Sequence, residues 1–224
     1  MILSLALTLA ACGSTPLLPQ PDDYPRLSVK DDEENTLSFA DPKARFENYG
    51  KLYIAPIKIQ HGNSQAMQDV TTKEAQNIAH YMEKKLKATL SREFEIVNQS
   101  GPDVITMRFR IMDLEPTSAA QVAMMVPPFA LINLVSSKGA FIGSITMAGE
   151  FYEGLNKRSS ATFIAFRSRP WRDIKSVFGR WTAVENIIDQ AADRLTQDFS
   201  NNRKAKRILI NTIRSRSVHF DLIF

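Results

Sequence analysis

The chain of 224 residues has one cysteine, Cys12, and three histidines, His61, His80 and His219. A single thiol excludes an internal disulfide, so the fold must be held by burial alone. The histidines stand apart from one another and from any Cys or carboxylate at ligand spacing, which leaves no metal motif. None of the nine glycines builds a phosphate-cradling loop, and "FIGSITMAG" spaces Gly and Ser wrongly for a nucleophile elbow. Asp113 and Glu115 form a carboxylate pair at strand spacing without further catalytic pattern. No catalytic residue, metal or cofactor is assigned, and the expectation is a protein that is not an enzyme.

What the chain does have is a position for its thiol. In "SLALTLAACGS" an apolar segment shorter than the roughly 20 residues of a spanning helix ends in small residues directly before Cys12, as in a secretory signal. Leu9-Ala10-Ala11-Cys12 resembles the lipobox of bacterial lipoproteins, whose thiol is diacylated and whose new amino group is acylated after cleavage. At about 0.8 kcal/mol per buried methylene, several acyl chains hold a protein on a membrane durably and one does not. No Lys or Arg stands before the apolar run, although a signal normally begins with one; the expected true start lies upstream. Gly13 after the cysteine implies, by resemblance, sorting to the outer membrane, facing the periplasm.

The net charge of +4 is unevenly placed. Arg203, Lys204, Lys206, Arg207, Arg214 and Arg216 all follow Asn202, against a single acid, Asp221, so the body before them is close to neutral. Nucleic-acid binding would need a basic face on the folded body, and none is expected. The tail has two readings: a solvated appendage, or contact of Lys204, Lys206, Arg207, Arg214 and Arg216 with anionic lipid headgroups, each basic side chain giving about 1 kcal/mol near the surface.

The hydrophobic content of 44% is that of an ordinary globular chain, and one domain is expected. Residues 1–11 read as the signal peptide and 12–49 as the lipidated cysteine and a flexible tether, polar, proline-rich and acidic at Asp31-Asp32-Glu33-Glu34. Tyr24, Leu27, Leu37 and Phe39 are its exceptions and are candidates to dock on the domain. Residues 50–202 read as a single α+β domain and 203–224 as the basic tail. "KLYIAPIKI" is a first strand, with Pro56 better placed on an edge than in the centre. Thr71 and Glu74 make a capping box before a helix whose apolar stripe is Ala75, Ile78, Ala79, Met82, Leu86 and Leu90. "FEIV" and "DVITMRFRIMDLEP" are strands about a Gly-Pro turn; Ile105, Met107, Phe109 and Ile111 face the core, while Arg108 and Arg110 read as solvated. "GSITMAGEFYEG" and "SSATFIAFRSRP" form a hairpin. Pro170 opens a long helix with Trp171, Ile174, Phe178, Trp181, Ile188, Ala191 and Leu195 on one stripe. The predicted fold is a two-layer α+β sandwich, a mostly antiparallel sheet of about 4–5 strands with two main helices on one face.

Ala119 to Phe141 is apolar enough to approach a membrane span, but Pro127-Pro128 at its centre breaks a helix there. It reads either as two short pieces in the core or as an exposed contact, made by Met124, Met125, Pro127, Pro128 and Phe129, with a partner or with the bilayer surface.

Taken together, "DYPRLS", "FADPKARFENYGKLYIAPIKI", "SGPDVITMRFRIMDLEP" and "RPWRDIKSVFGRWTAVENIIDQAADRL" resemble the domain of unknown function 3313 family of bacterial envelope lipoproteins, from about Tyr24 to Phe199. The resemblance implies no catalytic residue, and the basic tail after Asn202 departs from it. The expected function is a lipid-anchored periplasmic binding or accessory subunit of an envelope complex, with the membrane and an envelope protein as partners and no nucleic acid. The alternative is a carrier of a small hydrophobic or lipid ligand, held between sheet and helices by Met107, Phe109, Met147 and Phe163.

Overall fold

The computed structural model describes residues 27–30, 33–60, 65–117, 143–155, 157–167 and 179–220, those at 28–30, 33–37, 65–66, 157, 159–167 and 205–220 by their backbone alone. Its best-defined local signal is the start of α2 (Thr72–Leu90). The Thr71 hydroxyl accepts from the Glu74 amide, and the Glu74 carboxylate accepts from the Thr71 amide, so the capping box forms. All six apolar residues of the stripe expected from the sequence are buried.

The remaining elements are β1 (Ser28–Lys30), β2 (Glu33–Ala40), a 3-10 turn at Phe46–Asn48, β3 (Lys51–Ile54), β4 (Lys58–Ile59), α1 (Gln65–Gln68), β5 (Glu95–Val97), β6 (Val104–Glu115), β7 (Ser144–Glu153), β8 (Lys157–Arg167) and α3 (Thr182–Phe220). The strands form one sheet of eight in the order β1-β2-β8-β7-β6-β3-β5, with β4 also beside β6.

This corrects the expected mostly antiparallel sheet of 4–5 strands. The class is α+β, but the sheet is mixed: β3 runs parallel to both β5 and β6, and β4 parallel to β6, while β6, β7, β8, β2 and β1 alternate in direction. The cause is connectivity. A helix between two neighbouring strands returns the chain to its starting end, and the second strand is then laid parallel to the first; β3, α2 and β5 are such a unit. The extra strands come partly from the segment read as a tether, whose residues Ser28 to Ala40 form β1 and β2 on the β8 edge. Leu27, one of its apolar exceptions, is buried.

Pro56 splits the strand read as "KLYIAPIKI". Ala55 and Gln60 donate to Met107 and Ile111 of β6, both at 2.9 Å, but Pro56 has no N–H, and the ladder lapses between β3 and β4. β5 pairs only Lys51 to Tyr53, so the proline lies beyond the covered part of the strand, at an edge.

One core joins the two layers. Leu52, Ile105, Met107, Phe109, Ile111, Ile145, Met147 and Phe151 of the sheet meet the α2 stripe and Val184, Ile188, Ala192 and Phe199 of α3. Phe199 packs edge-on against Phe46 and Phe94, the latter with ring centres 5.1 Å apart. The buried line of α3 passes through Ala192, not the expected Ala191. The expected start of this helix at Pro170, with Trp171, Ile174 and Phe178, lies outside the described residues.

Polar contacts fix α2 and α3 side by side. Glu74 accepts not only from Thr71 but from Arg180 Nε at 2.8 Å and Trp181 Nε1 at 3.2 Å. The Thr71 amide and hydroxyl, then Arg180, hold its carboxyl down at about 2. Further along, Tyr81 donates to Asp189 at 2.9 Å, and Lys85 pairs with the same carboxylate at 3.1 Å. Burial first, then Asp189, pushes the Tyr81 phenol up to about 12. At the far end the Arg203 guanidinium donates to the backbone oxygens of Glu93 and Tyr49 and lies 4.2 Å from the Phe94 ring centre.

These contacts orient the molecule. Lys51, Glu95 and Val104, the first residues of β3, β5 and β6, lie abreast with Glu153 and Lys157 nearby across the β6-β7-β8 register. This is the basal end of the sheet. Helix α3 begins at the opposite end, with Ala183 against Gly143 and the Arg180 carbonyl bound by Thr117, and reaches the basal end at Arg203.

Candidate functional site

On β6, alternation puts Met107, Phe109 and Ile111 in the core and Arg108 and Arg110 on the opposite sheet face. The β6-β7 register sets Arg108 across from Glu150 and Thr106 across from Tyr152. A bulge between Phe151 and Tyr152 skips Ser159 in the pairing with β8 and brings Arg158 opposite Tyr152. Three guanidinium groups, one carboxylate and one phenol are thus gathered by three neighbouring strands.

Glu150 is the centre of the group and is only 6% exposed. Its Oε1 lies 2.8 Å from Arg158 Nη2 and 3.6 Å from Arg110 Nη2, and its Oε2 accepts from the Tyr152 hydroxyl at 3.0 Å. A buried carboxylate is costly unless paired, and here two arginines and a phenol hold it. Arg158 Nε also reaches the Tyr152 oxygen at 3.4 Å. Arg108 is exposed, with its guanidinium carbon 4.5 Å from the Tyr152 ring centre, and that of Arg158 is 5.9 Å from it.

The exposed Arg108 presents its positive charge beside the face of an aromatic ring. A planar guanidinium beside a ring, steadied by a buried carboxylate, suits the carboxylates or phosphates of a partner. Glu150, ion-paired and buried, serves as the organiser of the arginines. The sequence reading had Arg108 and Arg110 as solvated and did not single out Glu150, Tyr152 or Arg158. The alternation of Arg108 and Arg110 against Glu150 and Tyr152 was visible, but only the register and the bulge put the two rows together.

Of the residues singled out from sequence, Cys12 and Met124, Met125, Pro127, Pro128 and Phe129 lie outside the described residues. Lys204 is exposed on α3, and Lys206, Arg207, Arg214 and Arg216 follow on the same continuous helix. Met107, Phe109 and Met147 are core residues, 0%, 8% and 5% exposed. Phe163 is register-paired with Ala148 and Leu37, whereas Met147 is paired with Ile164. His80 is exposed on α2. Glu115 accepts from the Ser144 hydroxyl at 3.1 Å, and Asp113 from the Leu114 amide at 3.0 Å. Among the described residues no group of three or more His, Cys, Asp or Glu converges as a metal site, and no helix is long and apolar enough to cross a membrane.

Fold and patch together describe a two-layer α+β domain with arginines gathered around a glutamate and a tyrosine on one sheet face. The chain belongs to the DUF3313 family, proteins of unknown function, whose family model matches residues 20–195. Solved structures similar to it include the following two. One is a PelC dodecamer from Paraburkholderia phytofirmans, at 8% identity and a TM-score of 0.40, covering 72% of this chain and 95% of that one. The other is a DUF4136 family protein from Bacteroides thetaiotaomicron, at 12% identity and a TM-score of 0.37, covering 77% of this chain and 100% of that one. No curated protein matches the chain in sequence.

Proposed function

We propose that this protein is a lipid-anchored accessory subunit at the periplasmic face of the outer membrane, acting by binding and not by catalysis. The lipobox-like Leu9-Ala10-Ala11-Cys12 supports the anchor. The observation that carries the binding role is the patch of Arg108, Arg110 and Arg158 organised by buried Glu150 beside Tyr152. Its occupant is an acidic surface of an envelope protein, with Met124, Met125, Pro127, Pro128 and Phe129 as an apolar addition to the contact. The carrier reading would require Met107, Phe109 and Met147 to part from the core in which they are packed.

Two measurements test the two halves. Labelled palmitate enters the full-length product and not the Cys12→Ser variant; equal labelling removes the anchor. Crosslinking in intact cells followed by mass spectrometry yields a specific envelope protein. Arg108→Ala lowers that yield several-fold at unchanged protein level; an unchanged yield removes the patch from the contact.

A further inference from the structure

The hydrogen bonds of Arg203 to two backbone carbonyls mark the place where α3 leaves the fold. Arg203 binds the carbonyls of Tyr49 and Glu93, just before β3 and β5 begin, so the helix has reached the basal end of the sheet there. It continues as one helix to Phe220. At about 1.5 Å per residue, those further residues carry the axis about 25 Å past the sheet.

The opposite terminus comes from the same side. β1 pairs Ser28 with Ser38 and runs antiparallel to β2, which finishes at Ala40 beside Ser160 towards the basal end. The chain that precedes β1, with Cys12, therefore joins the sheet from the basal direction. A lipid on Cys12 would turn that end towards the membrane.

The sequence of the overrun suits such a neighbour. From Arg203 to Phe220 there are six basic residues and no acidic one. With about 100° of turn per residue, Leu209, Ile213 and Phe220 fall within about 40° of arc, Lys206 and Arg216 border that stripe on either side, and Arg207 and Arg214 lie further round. Ile208, Ile210 and Val218 fall outside the stripe. Apolar residues bordered by basic ones are the pattern of a helix lying in a membrane surface.

We infer that the overrunning part of α3 docks on an anionic lipid surface, beside the anchored N-terminus, and holds the basal end of the domain against the membrane. This rests on the proposed anchoring for its geometry, but its test does not use the lipid. The full chain carrying Cys12→Ser is mixed with vesicles of phosphatidylethanolamine with phosphatidylglycerol, or of phosphatidylcholine alone, and partition is read by sedimentation. A companion carries Lys206→Gln, Arg207→Gln, Arg214→Gln and Arg216→Gln in addition, with helix content checked by circular dichroism.

With each basic residue giving about 1 kcal/mol at such a surface, the first protein is expected to prefer the anionic vesicles by at least about tenfold. That preference disappears in the companion and in about 0.5 M salt, where screening is nearly complete. Equal partition on both vesicles, or a preference that survives neutralisation of the four residues, overturns the inference. So does a dimer, seen by light scattering without vesicles, that the four substitutions dissolve, since the helix would then belong to a second copy. Failure of palmitate labelling, by contrast, removes the anchor and leaves this vesicle result to stand or fall by itself.

Discussion

Phe109 of β6 lies directly across from Gly149 of β7, and its ring fills the space that a side chain at 149 would need: a Cβ built there meets Phe109 Cε1 at 2.9 Å. The glycine is what lets that ring lie flat on the sheet and meet Phe151 edge-on at 6.1 Å.

Gly149→Ala is therefore expected to destabilise the domain by about 1–3 kcal/mol through overpacking. Adding Phe109→Leu to the alanine variant should recover part of the loss, so the two substitutions are less than additive. Urea midpoints at constant m-value measure both; strict additivity would mean that the ring and the glycine do not compete for space.

Glu150→Ala leaves Arg110 and Arg158 without their buried counter-charge, and an expected loss of about 3–5 kcal/mol follows from breaking such a pair on one side. Arg108→Ala removes an exposed side chain and should stay within about 0.5 kcal/mol of the parent. Thermal denaturation separates the two, and a similar loss in both variants would contradict the assignment of Glu150 as organiser.

The Glu74 carboxyl titrates near 2 in the folded protein, held there by Thr71 first and Arg180 after, against 4.5 for the free group. A depressed carboxyl contributes stability above its unfolded pKa and loses it as pH falls through the folded one, here between about 4.5 and about 2. Glu74→Gln should thus be less stable than the parent at neutral pH, by about 1 kcal/mol. The difference should narrow across that window in urea titrations at successive pH values. A gap that stays constant down to pH 2 would show that the charge contributes nothing.

Arg203 ties three distant parts of the chain together, so Arg203→Met should cost about 2 kcal/mol, the scale of lost charge-assisted hydrogen bonds. Lysine, lacking the fork that reaches two carbonyls, should not restore it. Faster hydrogen exchange at the α3 amides around Phe199 in both variants, with the Glu74 end unchanged, is the expected local signature.

Local signals were legible in the sequence, and relations between strands were not. The capping box and stripe of α2 depend on residues three and four apart, and the alternation along β6 on residues two apart, so both could be read directly. The parallel course of β3, β5 and β6 depends on which strands become neighbours, a choice that periodicity does not encode. β2 was hidden because prolines and the Asp31 to Glu34 acids dominate its surroundings, although Leu37 and Phe39 gave its period-two hint. Glu150 drew no attention for a similar reason: a glutamate in a strand reads as solvent-facing until its neighbours across the sheet are known. Arg203 looked like one more charge in a basic tail, and only the return of α3 to the start of β3 gives it a structural task.

The pairing of β1 and β2 with β8 also shortens the leash. If a fatty anchor sits on Cys12, the links from there to Leu27 set the reach of the sheet from its bilayer. At about 3.5 Å each, fully drawn, they span about 50 Å. The domain would patrol a shallow layer next to its bilayer, and a partner embedded in the opposite membrane would have to come down to meet it.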